Sequence, residues 1–306
     1  MATETELGGY LLSDKIAVGG MAEVYRAKAA QGTQRGADEP ADVVLKRLLP
    51  SFRAEQAFVN LFVAEGKLCV RLKHLNVVRT FKLFKKGTDY FMVQELVDGM
   101  TLSKLAERAR TAKKPVKLSA AVYSVQGLLR GLEYIHKLKL TEAPPTIVHG
   151  DVNPANVLIS RGGEVKITDF GVAMSEGVPA VGEGGSVRGT LTYMSPEQVL
   201  GKPVDKRSDL FAAGVILWEL VANQLLVDAP TEYEALQRVR ECRVPLLNTV
   251  RPDVPDLLVQ IVRKACYADA NLRFADATEF LRALEVLGQR ASLTLAPTAL
   301  SEELGR

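Results

Sequence analysis

The chain has 306 residues, a formal net charge of +3 and three cysteines. That length suits one two-lobed domain or two small ones, and the near balance of charge, with no basic block, argues against a nucleic-acid partner. Cys69, Cys242 and Cys266 are widely spaced in apolar helical patterns, which excludes a disulfide or zinc framework and reads as reduced core thiols.

From the start of the chain, Met1 to Gly9 is polar and acidic rather than basic then apolar, so no signal peptide is read and a cytoplasmic location is expected. Residues 1–9 are expected to be a flexible N-terminus. Ile16 to Tyr25 reads as strand, glycine turn and strand, with Ala17, Val18, Gly19 and Gly20 at the tip. In outline this is a hairpin that covers phosphate, because glycine lets a backbone approach closely and adopt positive φ, although Gly-Gly also marks many ordinary hairpins. Ala30 to Ala41, rich in Gly, Gln and charge, is expected to be unstructured. Val43-Val44-Leu45-Lys46 is a buried-type strand ending in a point charge suited to phosphate oxygens. Phe58 to Leu72 then has apolar residues at helical spacing, with Glu65 placed to pair with Lys46.

Strands dominate from Tyr10 to Glu95, Asp98-Gly99 marks a hinge, and helices dominate from Leu102. Helices are expected around Ala120 to Lys137, Asp209 to Asn223, Thr231 to Arg240, Pro255 to Cys266 and Ala275 to Leu287. Leu138 to Thr146, with Pro144-Pro145, reads as a surface insertion. The most hydrophobic stretch, Leu210 to Val227, is broken by Glu219, Asn223 and Gln224, so it predicts a buried central helix rather than a membrane span. Ala291 to Arg306 is expected to be unstructured.

The chemistry concentrates in His149-Gly150-Asp151-Val152-Asn153-Pro154-Ala155-Asn156, followed after a short apolar strand by Asp169-Phe170-Gly171. Phosphoryl transfer needs one carboxylate to orient an attacking hydroxyl, and a second carboxylate with an amide oxygen to hold Mg²⁺ against nucleotide phosphates. Asp151, Asp169 and Asn156 fit those roles in that order.

Taken together, these segments resemble the protein kinase family over roughly Tyr10 to Leu287, and most resemble bacterial serine/threonine kinases of eukaryotic type, whose glycine loops often read Gly-Gly-Met-Ala-Glu-Val-Tyr. The resemblance implies an α+β, bilobal fold with a β-rich N-lobe over residues 10–97, a helical C-lobe over 98–287, a disordered tail over 288–306, and ATP in the cleft between lobes. It implies transfer of the γ-phosphate of ATP, with Mg²⁺ or alternatively Mn²⁺, to serine or threonine of protein substrates, autophosphorylation included. Position by position, Lys46 and Glu65 match the ion pair, Asp151 the catalytic aspartate, and Asn156 and Asp169 the metal ligands. Gln94 matches the gatekeeper, Glu95 to Val97 supply backbone hydrogen bonds to adenine, and Val24, Val44 and Leu158 enclose its ring.

His-Gly-Asp with a following Asn also resembles the aminoglycoside and choline kinases. Protein substrates are favoured by Gly189 to Glu197, which resembles the floor for a substrate peptide, by Asp205 to Phe211, and by Arg273, which matches the partner of Glu197. Thr190 and Thr192 fall in that floor, with Thr190 expected to hydrogen-bond Asp151 or Asn153. The departures are Ala17 and Ala22 for loop glycines, Gly150 for the arginine that gathers a phosphorylated loop, and Asn153 for a lysine beside the γ-phosphate. Activity is therefore expected to be independent of phosphate at Ser175 or Ser186. Losing the lysine charge would slow transfer about tenfold to a thousandfold, which keeps a pseudokinase as the alternative. The residues name neither a protein substrate nor an oligomeric state.

Overall fold

A computed structural model describes residues 5–36, 38–139, 147–170 and 191–305. The chain divides into two compact units. One runs to Val97 and includes Phe170; the other comprises Asp98 to Asp169 and the described residues from Leu191 onward.

The first unit holds β1 (Glu6–Leu7), β2 (Tyr10–Val18), β3 (Ala22–Ala29), β4 (Asp42–Leu48), α1 (Gln56–Arg71), β5 (Thr80–Lys86) and β6 (Asp89–Glu95). The strands form a six-stranded antiparallel sheet in the order β1-β2-β3-β4-β6-β5. Alternation along the strands gathers Tyr10, Leu12, Ala27, Val43, Leu45, Phe91 and Val93 into one buried cluster. Ala22, Leu48 and Met92 join Val59 and Phe62 of α1 in another. Val24 pairs with both Ala17 and Lys46, and Val44 pairs with Gln94. Directly paired residues share a face, so Ala17, Val24, Val44, Lys46 and Gln94 lie on the face that α1 partly covers.

Two expectations for this unit are corrected. Residues 6–9 are not a flexible terminus, because Glu6 and Leu7 pair with Leu11 and Tyr10 across the Gly8-Gly9 turn. The stretch from Ala30 to Ala41 is anchored by Glu39, whose side chain is almost fully buried. Its carboxylate accepts the Tyr10 hydroxyl at 2.5 Å and the Gly36 N–H at 3.2 Å, and pairs with Lys82 at 3.4 Å. A buried carboxylate needs such partners, and meeting that need orders the loop around it.

The second unit begins with β7 (Gly99–Thr101), α2 (Leu102–Thr111), α3 (Leu118–Lys137), β8 (Val157–Ser160) and β9 (Val165–Ile167). It continues with α4 (Pro196–Val199), α5 (Lys206–Ala222), α6 (Glu232–Glu241), α7 (Leu247–Val250), α8 (Asp256–Ala265), α9 (Ala277–Arg290) and α10 (Pro297–Leu304). The three strands form a sheet in the order β7-β8-β9. Helix α5 is capped by Asp205, whose side chain accepts the Arg207 N–H, and is buried from Ser208 to Val221. A helix apolar on all sides belongs in a core, and α3 and α8 pack against this one. Among the described residues, no helix is long and apolar enough to cross a membrane.

The tail is also corrected. Helix α9 runs to Arg290, and α10 packs on α3 with Leu300 fully buried. Gly163, at the β8–β9 turn, has φ +84° and touches this segment so closely that a Cβ there would collide with the Pro297 carbonyl. Of the insertion expected at 138–146, residues 140–146 lie outside the described residues.

Candidate active site

Lys46 on β4 and Glu65 on α1 form an ion pair, with Nζ 2.7 Å from Oε1 and side chains only 7% and 2% exposed. Glu65 is inward because it shares the helical stripe of Phe62 and Cys69, so the sheet and helix that bury the apolar residues also bury the pair. At the hairpin tip, Ala17, Val18, Gly19 and Gly20 are all exposed. The Gly19 N–H donates to the Ala22 carbonyl at 2.7 Å, closing the turn. Neither Gly19 nor Gly20 has positive φ, and a Cβ on Gly20 would meet nothing within 4 Å. Of the two expected reasons for glycine, positive φ is therefore corrected, since the turn does not require it, and room for close approach of a ligand is the one that remains. Val24 and Val44 are half-buried, and so is Val97.

Gln94 is buried and its Nε2 donates to Thr80 Oγ1 at 3.3 Å. The Glu95 N–H donates to the Arg79 carbonyl at 2.9 Å.

In the second unit, the loop before β8 is held from beneath by Asp209, in the first turn of α5. Its Oδ2 accepts the His149 N–H and its Oδ1 the Gly150 N–H, each at 2.9 Å, and Oδ2 also meets His136 Nε2 at 2.8 Å. His149 Nδ1 accepts the Asp151 N–H at 3.3 Å, so its Nε2 carries the proton and donates to the Thr168 carbonyl at 3.1 Å. Burial pushes the His149 imidazole below its usual pKa and keeps it neutral.

This scaffold presents Asp151. Its Oδ1 accepts from Asn153 Nδ2 at 2.9 Å and its Oδ2 from Asn156 Nδ2 at 2.8 Å. Burial pushes its carboxyl up to about 6, against the pull of those two amides, with Asp169 and Asp209 adding to the rise. It is thus ionised near neutral pH and can accept a proton. Asn153 Oδ1 caps the turn over Pro154–Asn156, accepting the Ala155 N–H at 2.9 Å and the Asn156 N–H at 3.3 Å. Its amide donor faces Asp151; Thr190, expected to bond Asp151 or Asn153, lies outside the described residues with Gly171, Ser175 and Ser186.

Asn156 Nδ2 also donates to the Asp151 carbonyl at 2.9 Å. With the nitrogen fixed between two oxygens, the amide is oriented with Oδ1 turned the other way. Leu158 lies two residues on, half-buried on β8 and paired with Lys166 of β9. The β8–β9 hairpin brings Asp169 close to Asn156, because the Thr168 N–H donates to the Asn156 carbonyl at 3.0 Å. Asp169 has φ +57°, a left-handed conformation for a non-glycine residue, and such strain gathers at functional sites.

Below this loop, Glu197 takes a bidentate pair from Arg273, with NH1 to Oε1 at 2.7 Å and NH2 to Oε2 at 2.8 Å. Tyr193 donates its hydroxyl to buried Glu219 at 2.6 Å. Gln198 links this segment to the loop, donating from Nε2 to the Gly150 carbonyl at 2.9 Å. Sequence reasoning missed Asp209 and Gln198 as supports; an acid in the first turn of the most buried helix was the available signal for Asp209. Among the described residues, no cluster of three His, Cys, Asp or Glu could hold a metal alone.

A family model described as "Protein kinase domain" matches residues 10–283. Tyrosine-protein kinase MasK of Myxococcus xanthus is 33% identical over 91% of this chain and 43% of its own length. Serine/threonine-protein kinase PknL of Mycobacterium tuberculosis is 30% identical over 93% of this chain and 67% of its own. Serine/threonine-protein kinase PrkC of Bacillus subtilis is 28% identical over 89% of this chain and 39% of its own. The chain thus spans less than half of MasK and PrkC. The crystal structure of the M. tuberculosis PknI kinase domain shares the fold, with a TM-score of 0.68, 23% identity, and 94% of this chain and 99% of that one covered.

Proposed function

The chain belongs to the protein kinase family, and we propose that it transfers the γ-phosphate of ATP to serine or threonine hydroxyls of protein substrates, its own included, in bacterial signalling. The observation that carries this reading is the Asp151 carboxylate, ionised near neutrality and aimed by two amide donors. A carboxylate so held can orient a hydroxyl and take its proton, while the positioning of the reactants supplies most of the rate enhancement.

The family uses ATP and a divalent cation, and the residues present fit Mg²⁺. Asn156 would offer a hard amide oxygen and Asp169 a carboxylate, and a cation bound by one or two protein oxygens completes its shell with phosphate and water. When bound, the cation neutralises charge developing on the phosphates. Lys46, oriented by Glu65, is suited to the α- and β-phosphates. By family correspondence Val24, Val44 and Leu158 enclose the adenine ring, and the backbone from Glu95 to Val97 offers its hydrogen bonds. Asn153 acts by aiming Asp151, and no lysine stands at its position to meet the γ-phosphate.

Incubation with γ-labelled ATP and Mg²⁺, followed by phosphoamino-acid analysis, tests the proposal. Label on serine or threonine that vanishes in Asp169→Asn is expected. Label confined to tyrosine, as the name of MasK would suggest, would overturn the substrate class, and no label above Asp169→Asn would favour the pseudokinase.

A further inference from the structure

Gly150 immediately precedes Asp151 and is held from both sides. Its N–H donates to Asp209 Oδ1 at 2.9 Å and its carbonyl accepts Gln198 Nε2 at 2.9 Å. Its φ of +80° is one that glycine adopts without strain. The two hydrogen bonds fix the orientation of the peptides on either side of it, including the one that leads into Asp151.

Gln198 is itself fully determined. Its Oε1 accepts the Ser195 N–H at 2.9 Å and faces the Ser195 hydroxyl at 3.1 Å, forming a capping box at the start of α4. Turning the amide over would set donor against donor at Ser195 and acceptor against acceptor at Gly150. The orientation is therefore imposed by the network rather than chosen. One neutral side chain thus joins the segment carrying Ser195 and Glu197 to the residue beside Asp151. That segment is anchored in turn by Arg273, whose guanidinium is wholly buried.

We propose that Gln198 is a positioning residue for Asp151, coupling the Leu191–Val199 segment to the catalytic loop without any charged or phosphorylated group. The inference rests on the kinase reading above. It gives the loop a permanent tether at the position where related kinases carry an arginine, and it acts on the step in which Asp151 orients the hydroxyl rather than on nucleotide binding.

The two roles of the side chain can be separated. Gln198→Glu keeps an acceptor for the Ser195 N–H, since Ser-x-x-Glu is itself a capping box, but sets an oxygen against the Gly150 carbonyl. Gln198→Met removes the bonds to both Ser195 and Gly150 without adding charge. Both variants are expected to lower kcat by about 10- to 100-fold, as a small misplacement of a reacting group does, with KM for ATP within about twofold of wild type. Amide exchange in residues 147–156 should quicken in both, and Gln198→Glu should melt within a few degrees of wild type.

Unchanged kcat in either variant, a loss seen in Gln198→Glu alone, or a rise in KM without a fall in kcat would overturn the proposal while leaving the kinase reading intact. If wild-type protein gives no turnover above Asp169→Asn, the kinase reading fails instead. The exchange measurement then decides alone: faster exchange in the loop supports the tether, and unchanged exchange refutes it.

Discussion

Replacing Arg273 with alanine removes the fully buried side of an ion pair whose other member, Glu197, is largely buried. The guanidinium gives Glu197 two short bonds, at 2.7 and 2.8 Å, and also donates to the carbonyls of Tyr267 at 2.7 Å, Ala268 at 3.0 Å and Arg207 at 3.2 Å. Its loss leaves the Glu197 carboxylate largely buried, with the Ser208 hydroxyl at 2.5 Å as its remaining side-chain partner, and takes a donor from three carbonyls. Breaking a buried pair from one side costs about 3–5 kcal/mol, and for a unit of this size each kcal/mol lowers Tm by roughly 2–4 °C. A fall of roughly 6–20 °C follows. Thermal and urea unfolding measure it, with Arg273→Lys losing less because it keeps the charge but not the fork. Burial alone would raise the Glu197 carboxyl, but the bonds from Arg273 and Ser208 outweigh it and hold the group below its usual value. The folded pKa being depressed, this contribution is full above the unfolded value and is lost as pH falls through the folded one. Wild type should therefore lose its advantage over Arg273→Ala on acidification below about the ordinary glutamate value of 4.5. A loss under about 1 kcal/mol at neutral pH, or a gap that does not narrow in acid, would refute the reasoning.

Glu65→Gln should remove the Glu65 charge from beside Lys46 and cut kcat/KM at least about tenfold, read in steady-state assays against ATP. Ala17→Gly should tighten ATP–Mg²⁺ binding from a wild-type Kd expected near the top of the usual range, roughly 1 mM; calorimetric titration showing low-micromolar wild-type affinity with no gain would contradict this. Gly163→Ala forces a Cβ against the Pro297 carbonyl in a left-handed conformation, and should destabilise the protein by about 1–3 kcal/mol in urea unfolding. Equal stability would mean that the tail does not dock on the β8–β9 turn.

What the sequence revealed and what it hid divide along physical lines. Glu65 was legible because an acid inside an apolar helical stripe must face a cation, and the strand ending in Lys46 supplied one. Arg273 and Glu197 were legible only through family resemblance, since 76 residues separate them and no local pattern links them. Glu39 was hidden because its partner Tyr10 lies 29 residues away, and a polar loop gives no sign that one of its carboxylates is buried. Helix α10 was hidden for a related reason. Eight residues are too few to hold a helix by propensity, so its existence depends on α3 and Gly163, which composition does not show. For the glycine hairpin, one of the two expected reasons does not hold, because the turn closes without positive φ at Gly19 or Gly20. Gln198 was missed because its partner Gly150 lies 48 residues away and no local pattern links them.

The central claim is that Asp151, held by Asn153 and Asn156, takes part in the transfer step itself. Measuring kcat and ATP–Mg²⁺ affinity side by side for Asp151→Asn tests it most directly. The account predicts a fall in kcat of about 10²- to 10⁴-fold, the usual worth of a positioned acid–base group, with nucleotide affinity within about twofold of wild type. Turnover retained in Asp151→Asn, or lost only in proportion to weakened nucleotide binding, would contradict it.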